Sequence, residues 1–296
     1  MNDLVARARK VRRALRAAPD GFDLSAIDPG ATPGLPREGD KLWSREQMTV
    51  LGDALAEQQE RLYAAAQAGT DRRRVLLVLQ AMDCGGKDGT VRSVVGALNP
   101  QGVRIKAFTA PTPDELAHHF LWRVSAALPG AGYVGVFNRS HYEDVLAVRV
   151  RKLVEPAVWK RRYDEINEFE RIQSADGTVI IKFMLHISYE EQRARLLKRL
   201  DDPTKRWKFR EGDLDDRERW SEYQRAYQDA VAKCSTGPAP WYVVPADRKW
   251  YRDWAVANVL LAHLDELKLA YPEVKLDLPG LRQRLADPGE HQVNNG

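Results

Sequence analysis

The sequence predicts an α/β fold, in which a mostly parallel, five-stranded sheet is covered by helices on both faces and preceded by an N-terminal helical extension. Runs of β-forming residues alternate with helical patterns along most of the chain, which is typical of right-handed crossovers between parallel strands. The first run, Val75 to Leu79, is continuously apolar, as expected of a central strand that is buried on both faces. Hydrophobic residues make up 44% of the chain, enough for a substantial core.

Residues 1–72 are predicted to form the helical extension. A basic helix is followed by a proline- and glycine-rich stretch over residues 28–36, which is unsuited to regular structure. A long helix is then predicted over residues 44–68, with Ser44 as its N-cap. Its apolar residues recur at helical spacing: Met48, Leu51, Leu55 and Leu62.

The core is predicted to span residues 73–270, and residues 271–296 are predicted to form a peripheral tail. Besides the first strand, four more are expected, at residues 103–108, 133–137, 179–187 and 241–244. Strands that alternate with helices in this way place ligands at the carboxyl ends of the strands.

The helices of the core carry recognisable ends. The first is expected to run from the glycine-rich loop to Leu98, and the last covers residues 253–267. Two others begin with sequences typical of capping boxes, in which a hydroxyl and a glutamate three residues later cap each other's backbone N–H. These pairs are Thr112 with Glu115 and Ser188 with Glu191.

Composition limits the class of protein. The chain has 296 residues and a formal net charge of +4, so charge alone does not indicate a polyanionic partner. No run approaches the ~20 apolar residues of a membrane span, and the N-terminus lacks the apolar core of a signal peptide. Two cysteines, Cys84 and Cys234, are too few for a disulfide scaffold or a four-cysteine zinc site. We therefore expect a cytoplasmic protein that has no membrane partner.

A glycine-rich loop follows the first strand and opens a helix, which is the placement of a phosphate-binding P-loop. Backbone N–H groups of such a loop bind phosphate oxygens, and Lys87 would bridge the terminal phosphates. The pattern G-x-x-x-x-G-K-[ST] is kept except at Ala81 and Asp88. A carboxylate among phosphates is repulsive without a metal ion, so Asp83 is a candidate metal ligand. The predicted phosphate-binding residues are Cys84, Gly85, Gly86, Lys87, Asp88, Gly89 and Thr90.

A second group of polar residues follows the third strand. In P-loop enzymes an acid beyond a neighbouring strand helps to hold the metal ion, and Glu143 or Asp144 could take this role. Arg139 could neutralise charge on the phosphoryl group during transfer. The predicted catalytic residues are Asp83, Lys87, Arg139 and Asp144.

A basic segment over residues 199–216 lies between two helical patterns. In small kinases such a segment acts as a lid that closes over the phosphates and excludes water. Trp207 and Phe209 are expected to pack against a neighbouring surface. The predicted lid cations are Lys205, Arg206, Lys208 and Arg210.

Four motifs occur in order along the chain: Asp83-Cys84-Gly85-Gly86-Lys87-Asp88-Gly89-Thr90, Phe137-Asn138-Arg139-Ser140-His141-Tyr142-Glu143-Asp144, Lys205-Arg206-Trp207-Lys208-Phe209 and Pro245-Ala246-Asp247-Arg248-Lys249-Trp250-Tyr251. Together they resemble the polyphosphate kinase 2 family over residues 45–272. The resemblance implies a thymidylate-kinase-like P-loop kinase fold. It also implies Mg²⁺-dependent phosphoryl transfer between inorganic polyphosphate and nucleotides, with Mn²⁺ as a substitute metal.

Roles follow from the resemblance by position. Asp83 and Asp144 would hold Mg²⁺, whereas Lys87 and Arg139 would bind the phosphates. Glu143 would lie near the acceptor nucleotide. Family members are often dimers or tetramers, so a homo-oligomer is expected.

Two positions indicate a subgroup within the resemblance. Some members have Asp where this chain has Asn138, and Asn where it has Glu143. The version here resembles the class III members, which phosphorylate both AMP and ADP and so form ADP and ATP. Basic runs at residues 72–74, 149–152 and 198–210 are expected to line the polyphosphate track.

Two other functions stay open from the residues alone. One is a nucleoside monophosphate kinase with ATP as its donor. The other is a P-loop module that binds polyanions, such as nucleic acid, without turnover. The set of metal-binding and phosphate-binding candidates counts against a non-catalytic module, so no nucleic-acid partner is expected.

Overall fold

The structure, a computed structural model, describes residues 2–18 and 20–286; the end of the predicted tail, residues 287–296, lies outside the described residues. Its sheet consists of β1 (Arg74–Gln80), β2 (Val103–Ala107), β3 (Val134–Asn138), β4 (Thr178–His186) and β5 (Trp241–Pro245). All neighbouring strands pair in parallel, in the order β2-β3-β1-β4-β5. The apolar run therefore forms the central strand, and the predicted α/β fold is confirmed.

Helices surround this sheet along the chain. They are α1 (Asn2–Leu15), α2 (Lys41–Gln67), α3 (Lys87–Ser93), α4 (Pro113–Leu116), α5 (Trp122–Ser125), α6 (Ala147–Val150), α7 (Pro156–Ala175), α8 (Tyr189–Asp201), α9 (Gly212–Glu218), α10 (Trp220–Cys234), α11 (Lys249–Glu266) and α12 (Leu278–Ala286). Short 3₁₀ turns also occur, two of them at His141–Asp144 and Arg206–Lys208. Among the described residues, no helix has the length and apolar character that crossing a membrane would require.

The residues of β1 serve two hydrophobic cores, one on each face of the sheet. Successive side chains of a strand point to opposite faces. Val75, Leu77 and Leu79 pack in the core that contains α1, α2 and α11. Leu76 and Val78 pack in the other, with α7 and α10. This two-sided burial explains why the strand is apolar throughout and confirms the prediction of helices on both faces.

The N-terminal extension packs on α11. Arg9 forms an ion pair with Asp265 at 2.7 Å, and Arg12 forms one with Glu266 at 2.5 Å. Beyond α1 the chain reaches the sheet, where Ala17 N–H donates to the carbonyl of β5 residue Trp241 at 2.9 Å. The long helix α2 also contributes to the core around α11. The extension thus shares a core with the sheet, and the domain boundary at residue 72 stays a prediction.

Two helix ends differ from their predictions. The N-cap of α2 is Asp40, whose side chain accepts from Trp43 N–H at 2.8 Å; Ser44 is buried within the first turn, so its predicted capping role is wrong. Helix α3 ends at Ser93 and does not continue to Leu98. Valines and a glycine follow at residues 94–96, and all three favour the helix less than most residues do.

Of the two predicted capping boxes, one is present. The Thr112 hydroxyl accepts from Glu115 N–H at 3.2 Å, and Thr112 N–H donates to the Glu115 carboxylate at 2.9 Å. Ser188 does cap α8, since its hydroxyl accepts from Glu191 N–H at 3.1 Å. The reciprocal bond is missing, because Ser188 N–H donates to Asp247 at 2.8 Å. The prediction of a second capping box is therefore only half right: Ser188 caps the helix, but Glu191 does not cap Ser188 N–H.

Candidate active site

The glycine loop occupies the edge of the sheet where β1 ends and α3 begins. Gly85 N–H donates to the Met82 carbonyl at 3.0 Å and closes the loop. Cys84 and Gly86 have left-handed backbone, with φ of +62° and +110°. Gly86 is the N-cap of α3, and no side chain caps the helix there. The first N–H groups of α3 therefore have no side-chain cap, and an anion at the loop can accept from them.

A buried arginine explains two of the loop glycines. A Cβ at Gly86 would lie 1.9 Å from Arg252 Nη1, and a Cβ at Gly89 would lie 2.7 Å from Arg252 Nη2. The guanidinium is held by the Asp253 carboxylate, which contacts Nη2 at 2.6 Å. Burial lowers the pKa of Arg252 despite this carboxylate. Arg252 therefore packs directly against the loop. It was not predicted from the sequence, because nothing in the sequence links α11 to the loop.

Lys87 folds back onto the loop. Its Nζ donates to the Ala81 carbonyl at 2.7 Å and lies 3.5 Å from the Met82 carbonyl. Burial and the nearby charge of Arg139 lower the pKa of Lys87, against the pull of neighbouring carboxylates. A partly desolvated ammonium of this kind gains more from an arriving phosphate oxygen than one in water. The position agrees with the predicted phosphate-binding role, which stays a prediction.

Arg139 joins the end of β3 to the glycine loop. Its backbone is left-handed, with φ of +63°, and its N–H donates to the Leu79 carbonyl of β1 at 3.0 Å. This turn directs the side chain to Asp83, which Arg139 Nη2 contacts at 3.1 Å. Burial lowers the pKa of Arg139, but the carboxylates of Glu143 and Asp83 outweigh it and raise the value overall.

Glu143 faces the same group of charges. The Gln80 amide, oriented so that both of its ends are satisfied, donates to Glu143 Oε1 at 3.0 Å and accepts from Ser140. Burial raises the pKa of Glu143, although the positive charges of Arg139 and Lys87 oppose the shift. The structure thus brings together four of the sequence-predicted residues: Asp83, Lys87, Arg139 and Glu143.

Asp144 lies apart from this group. Its carboxylate accepts from Arg162 of α7 at 2.9 Å, and the Arg162 guanidinium stacks over Phe120 at 4.8 Å from the ring centroid. Burial raises the pKa of Asp144, with Arg162 and Arg123 opposing. Of the two acids in this turn, Glu143 therefore lies with the loop, and Asp144 lies with Arg162 and Arg123.

Asp88 and Thr90, both predicted to bind phosphate, have protein partners. Asp88 accepts from the Asn138 amide at 2.9 Å and from Lys208 of the predicted lid at 3.1 Å. Thr90 is buried, and its hydroxyl lies 3.5 Å from Asp253. Asp88 thus joins the loop to β3 and to the lid, and Thr90 joins α3 to α11.

The lid reaches the loop through one of its four predicted cations, Lys208. Lys205 forms an ion pair with Asp202, and Arg206 Nε donates to the Leu200 carbonyl at 2.6 Å. The expectation that Trp207 packs on a neighbouring surface is wrong: 77% of the residue is exposed. Its indole N–H is satisfied by the adjacent Thr204 carbonyl at 3.0 Å, so the local turn holds it without tertiary packing. For all four cations the lid role stays a prediction.

The basic runs do not line one continuous polyphosphate track. Residues 72–74 lead into the start of β1, at the sheet edge opposite the loop, where Arg74 pairs with Asp176. This part of the expected track is therefore wrong. In the run 149–152, Arg149 pairs with Asp229 at 2.6 Å and Arg151 with Asp216 at 2.6 Å.

Helix α8 supplies two loop contacts that the sequence reasoning missed. Gln192 Nε2 donates to the Asp83 carbonyl at 3.1 Å. Arg195 donates to the Cys84 carbonyl at 3.0 Å and to the carbonyls of Ala246 and Asp247 beyond β5 at 2.7 and 2.8 Å. From the sequence, Arg195 would be expected to form an exposed ion pair with Glu191, four residues earlier. Its buried contacts with the loop could therefore not be predicted.

The acids at the loop limit which metal the site could hold. Among residues 2–18 and 20–286, no group of three or more histidine, cysteine, aspartate or glutamate side chains is arranged to hold a metal ion. The side chain of Asp83, 19% exposed, offers hard oxygen donors at the loop, and Glu143 shares with it the neighbouring charge of Arg139. One or two carboxylates that share the ion with phosphate oxygens are the ligands typical of Mg²⁺.

Comparisons with known proteins identify relatives of this chain. The family model for polyphosphate kinase 2 (PPK2) matches residues 43–272. An AMP/ADP-polyphosphate phosphotransferase from Meiothermus ruber is 51% identical over 259 residues, which cover 87% of this chain and 94% of that protein. An ADP-polyphosphate phosphotransferase from Rhodopseudomonas palustris is 42% identical over 249 residues, covering 79% and 84%.

A solved structure extends the likeness to the fold. The crystal structure of polyphosphate kinase 2 from Arthrobacter aurescens TC1 superposes with a TM-score of 0.89 at 46% identity, covering 94% of this chain and 97% of that one. The match includes most of the N-terminal extension as well as the sheet and its glycine loop. The chain is an enzyme, a phosphotransferase, and it belongs to the polyphosphate kinase 2 family.

Proposed function

We propose that this enzyme transfers a phosphoryl group between inorganic polyphosphate and AMP or ADP, with Mg²⁺ as its metal. The observation that carries the proposal is the convergence of Asp83, Lys87, Arg139 and Glu143 on one glycine loop. Two cations and two acids at that place can bind a phosphate chain, share a metal ion and neutralise charge during transfer. Phosphoryl transfer needs little else from a protein, since it depends mainly on alignment and charge neutralisation.

The donor end follows from the loop. A terminal phosphate accepts from the loop N–H groups, and Lys87 leaves the Ala81 carbonyl to bind its oxygens. Arg139 reaches the same space from β3, on the side toward which the transferred group moves. Because Arg139 already pairs with Asp83, it needs only a small rearrangement to contact the phosphoryl group.

The metal role falls first on Asp83. Bound there, Mg²⁺ would neutralise negative charge on the phosphates, and Mn²⁺ would accept the same oxygen ligands. Asp144 lies on the side of Arg162, which binds its Oδ1 at 2.9 Å and leaves Oδ2 as the oxygen that could ligate the ion. Glu143 already faces the loop.

The acceptor would lie on the β3 side, next to Glu143. The M. ruber relative, at 51% identity, is named for both AMP and ADP, which supports both acceptors for this chain. The lid would close from the α8–α9 side, where Lys208 already contacts Asp88. Assembly as a dimer or tetramer, a cytoplasmic location and the absence of a nucleic-acid partner also stay predictions.

The test is a matrix of donors and acceptors. Polyphosphate or ATP is offered with AMP, ADP, GMP or GDP and Mg²⁺, and products are separated by anion-exchange chromatography. We expect ADP and ATP from AMP plus polyphosphate, and ATP from ADP plus polyphosphate. Lys87→Ala should lower the rate at least about a hundredfold, the loss typical of one positioned charge donor at a transfer site.

Each alternative gives a different pattern in that matrix. Products from AMP and ATP alone, with none from polyphosphate, would identify an ATP-dependent monophosphate kinase and overturn the proposal. No transfer from either donor, combined with salt-sensitive retention on DNA, would identify a binding module.

The variant Glu143→Gln tests the acceptor side: we expect a larger loss of activity with AMP than with ADP.

A further inference from the structure

A cleft of about 690 Å³ opens at the end of α3, the helix that follows the glycine loop. Its walls come from the first turns of α2, the end of α3, the start of α8, the segment that joins β5 to α11 and the first turns of α11. In the strand order, β4 and β5 lie on the opposite side of β1 from β3. The cleft therefore lies on the side of the loop away from Glu143 and the proposed acceptor.

Four cations line this cleft: Lys41, Arg45, Arg248 and Lys249. All four are exposed, and none has an ion-pair partner within the part of the chain that the structure describes. They come from segments far apart in the sequence, α2 and the start of α11. The fold, and not a local basic run, concentrates them here.

The acids of the cleft offset only part of this positive charge, because two of the three pair with other arginines. Glu191 pairs with Arg195 at 2.7 Å, and Asp253 pairs with Arg252 at 2.6 Å. Asp247 accepts from Ser188 N–H at 2.8 Å, a neutral donor, so its carboxylate offsets one of the four cations. The apolar lining residues, Met48 and Trp250, pack against the hydrophobic core. Positive charge is therefore the chemistry that the cleft offers to a ligand.

The positive charge continues from the cleft to the loop. Arg195 contacts both, since it donates to the Cys84 carbonyl of the loop and to the Asp247 carbonyl of the cleft wall. Burial and the charges of Arg195 and Lys198 lower the pKa of Lys249, as expected where cations crowd together. A chain of anions that leaves the loop on this side passes Arg195 and then reaches the four cations of the cleft.

We propose that the cleft binds the part of a linear polyphosphate chain that extends beyond the glycine loop. This inference rests on the proposed function, because it concerns a second stretch of the same donor. The loop holds the phosphate to be transferred, and the cleft holds units farther along the chain. It makes α2, through Lys41 and Arg45, part of the donor site. The site then distinguishes long chains from short ones, since a short chain ends before it reaches the cleft.

The test compares donors of two lengths in a double variant, Arg45→Gln/Arg248→Gln. ATP formation from ADP is followed by luciferase with long-chain polyphosphate and with tripolyphosphate. We expect the ratio of the two KM values, long over short, to rise about fivefold, with a shallower dependence of the long-chain KM on salt. The matched control is Arg72→Gln/Lys268→Gln, which removes two exposed cations at the opposite sheet edge and should leave the ratio as in the wild type.

The possible results separate the two proposals. A wild-type enzyme that uses neither polyphosphate fails the proposed function itself. A wild type that uses both, with a variant ratio equal to that of the control, overturns the cleft alone. A rise in the KM of ADP in place of the polyphosphate KM would make the cleft a nucleotide site and also overturn it. If the double variant unfolds, Arg248→Gln alone carries the test, because this side chain is exposed and unpaired among the described residues.

Discussion

Lys182 Nζ and Glu170 Oε2 lie 2.5 Å apart, and their side chains are 0% and 1% exposed. The pair links the central region of β4 to α7. Lys182 also donates to the Tyr142 hydroxyl and to the Cys234 carbonyl, both at 2.7 Å, and His141 contacts Glu170 at 3.1 Å. These bonds hold the turn His141–Asp144, and with it Glu143, against the sheet.

This buried pair predicts a specific pattern of stability. Lys182→Met leaves the Glu170 carboxylate buried without its partner, and we expect a loss of about 3–5 kcal/mol in the free energy of unfolding. The double variant Lys182→Met/Glu170→Gln removes both charges and keeps acceptors for His141 and Tyr142, so it should regain most of that loss. Urea unfolding measures both variants. A single variant as stable as the wild type would show that the pair is not a buried charge pair in solution.

The contact between Lys208 and Asp88 predicts which lid cation matters. Lys208→Ala should lower kcat/KM for polyphosphate about tenfold, the loss expected of one hydrogen bond to a charged group. Arg193→Ala is the matched control: its side chain is 66% exposed on α8 and lies 4.0 Å from Glu190. Initial rates at varied polyphosphate give both values. Equal effects of the two substitutions would contradict a specific role for Lys208.

Arg252 predicts the response of the glycine loop to added side chains. In Gly86→Ala the new methyl group meets Arg252 Nη1 at 1.9 Å, on a backbone with φ of +110°, so both the loop and the arginine must move. We expect transfer activity to fall at least about a hundredfold, because small displacements of a positioned site are costly. Gly96→Ala is the control, since its nearest atom would be 4.0 Å away. Rate assays and thermal unfolding of both variants check this, and an active Gly86→Ala enzyme would contradict it.

His263 predicts part of the acid sensitivity of the fold. Burial, reinforced by the charge of Arg12, lowers the pKa of His263 to about 4, and its Nε2 lies 2.8 Å from the Tyr242 hydroxyl. The folded state therefore keeps the ring neutral, whereas the unfolded chain protonates it below its ordinary pKa of 6.5. Stability is complete above that pH and declines as the pH falls toward 4, by about 3 kcal/mol.

The measurement for His263 is a difference between two proteins. Urea unfolding of the wild type and of His263→Gln is compared at several pH values between 7 and 4. Because glutamine does not titrate, the variant should lose less stability over this range than the wild type. Parallel curves for the two proteins would mean that the imidazole is already accessible to protons in the folded state.

Local patterns were sufficient to predict the sheet and the position of the loop. The apolar run of β1, the glycines after it and Lys87 are neighbours in sequence, and the physics that orders them is short-range. Arg139 could be predicted too, because the carboxyl ends of adjacent parallel strands share an edge. The domain boundary, the metal ligands and the oligomeric state stay predictions.

The rest depends on partners that are distant in sequence. Arg252 lies under the loop only because α11 packs there, and Arg162 takes Asp144 out of the group at the loop for a similar reason. Lys182 occupies the middle of an apolar strand, where a charge is unexpected until Glu170 is seen opposite. The cations of the cleft come from both ends of the chain, so neither run alone indicated a site.

The packing of α1 on α11 also bears on the order in which the protein folds. The ion pairs that fasten it join residues that are 256 and 254 positions apart. Contacts of such long sequence separation form late, since the chain must first close a very large loop. During synthesis, α1 can contact α2 early, through Arg7 with Gln47 and Trp43, but α11, its main native surface, is missing until that helix has left the ribosome. Helix α1 is translated well before α11, yet it is among the last elements to complete its native contacts.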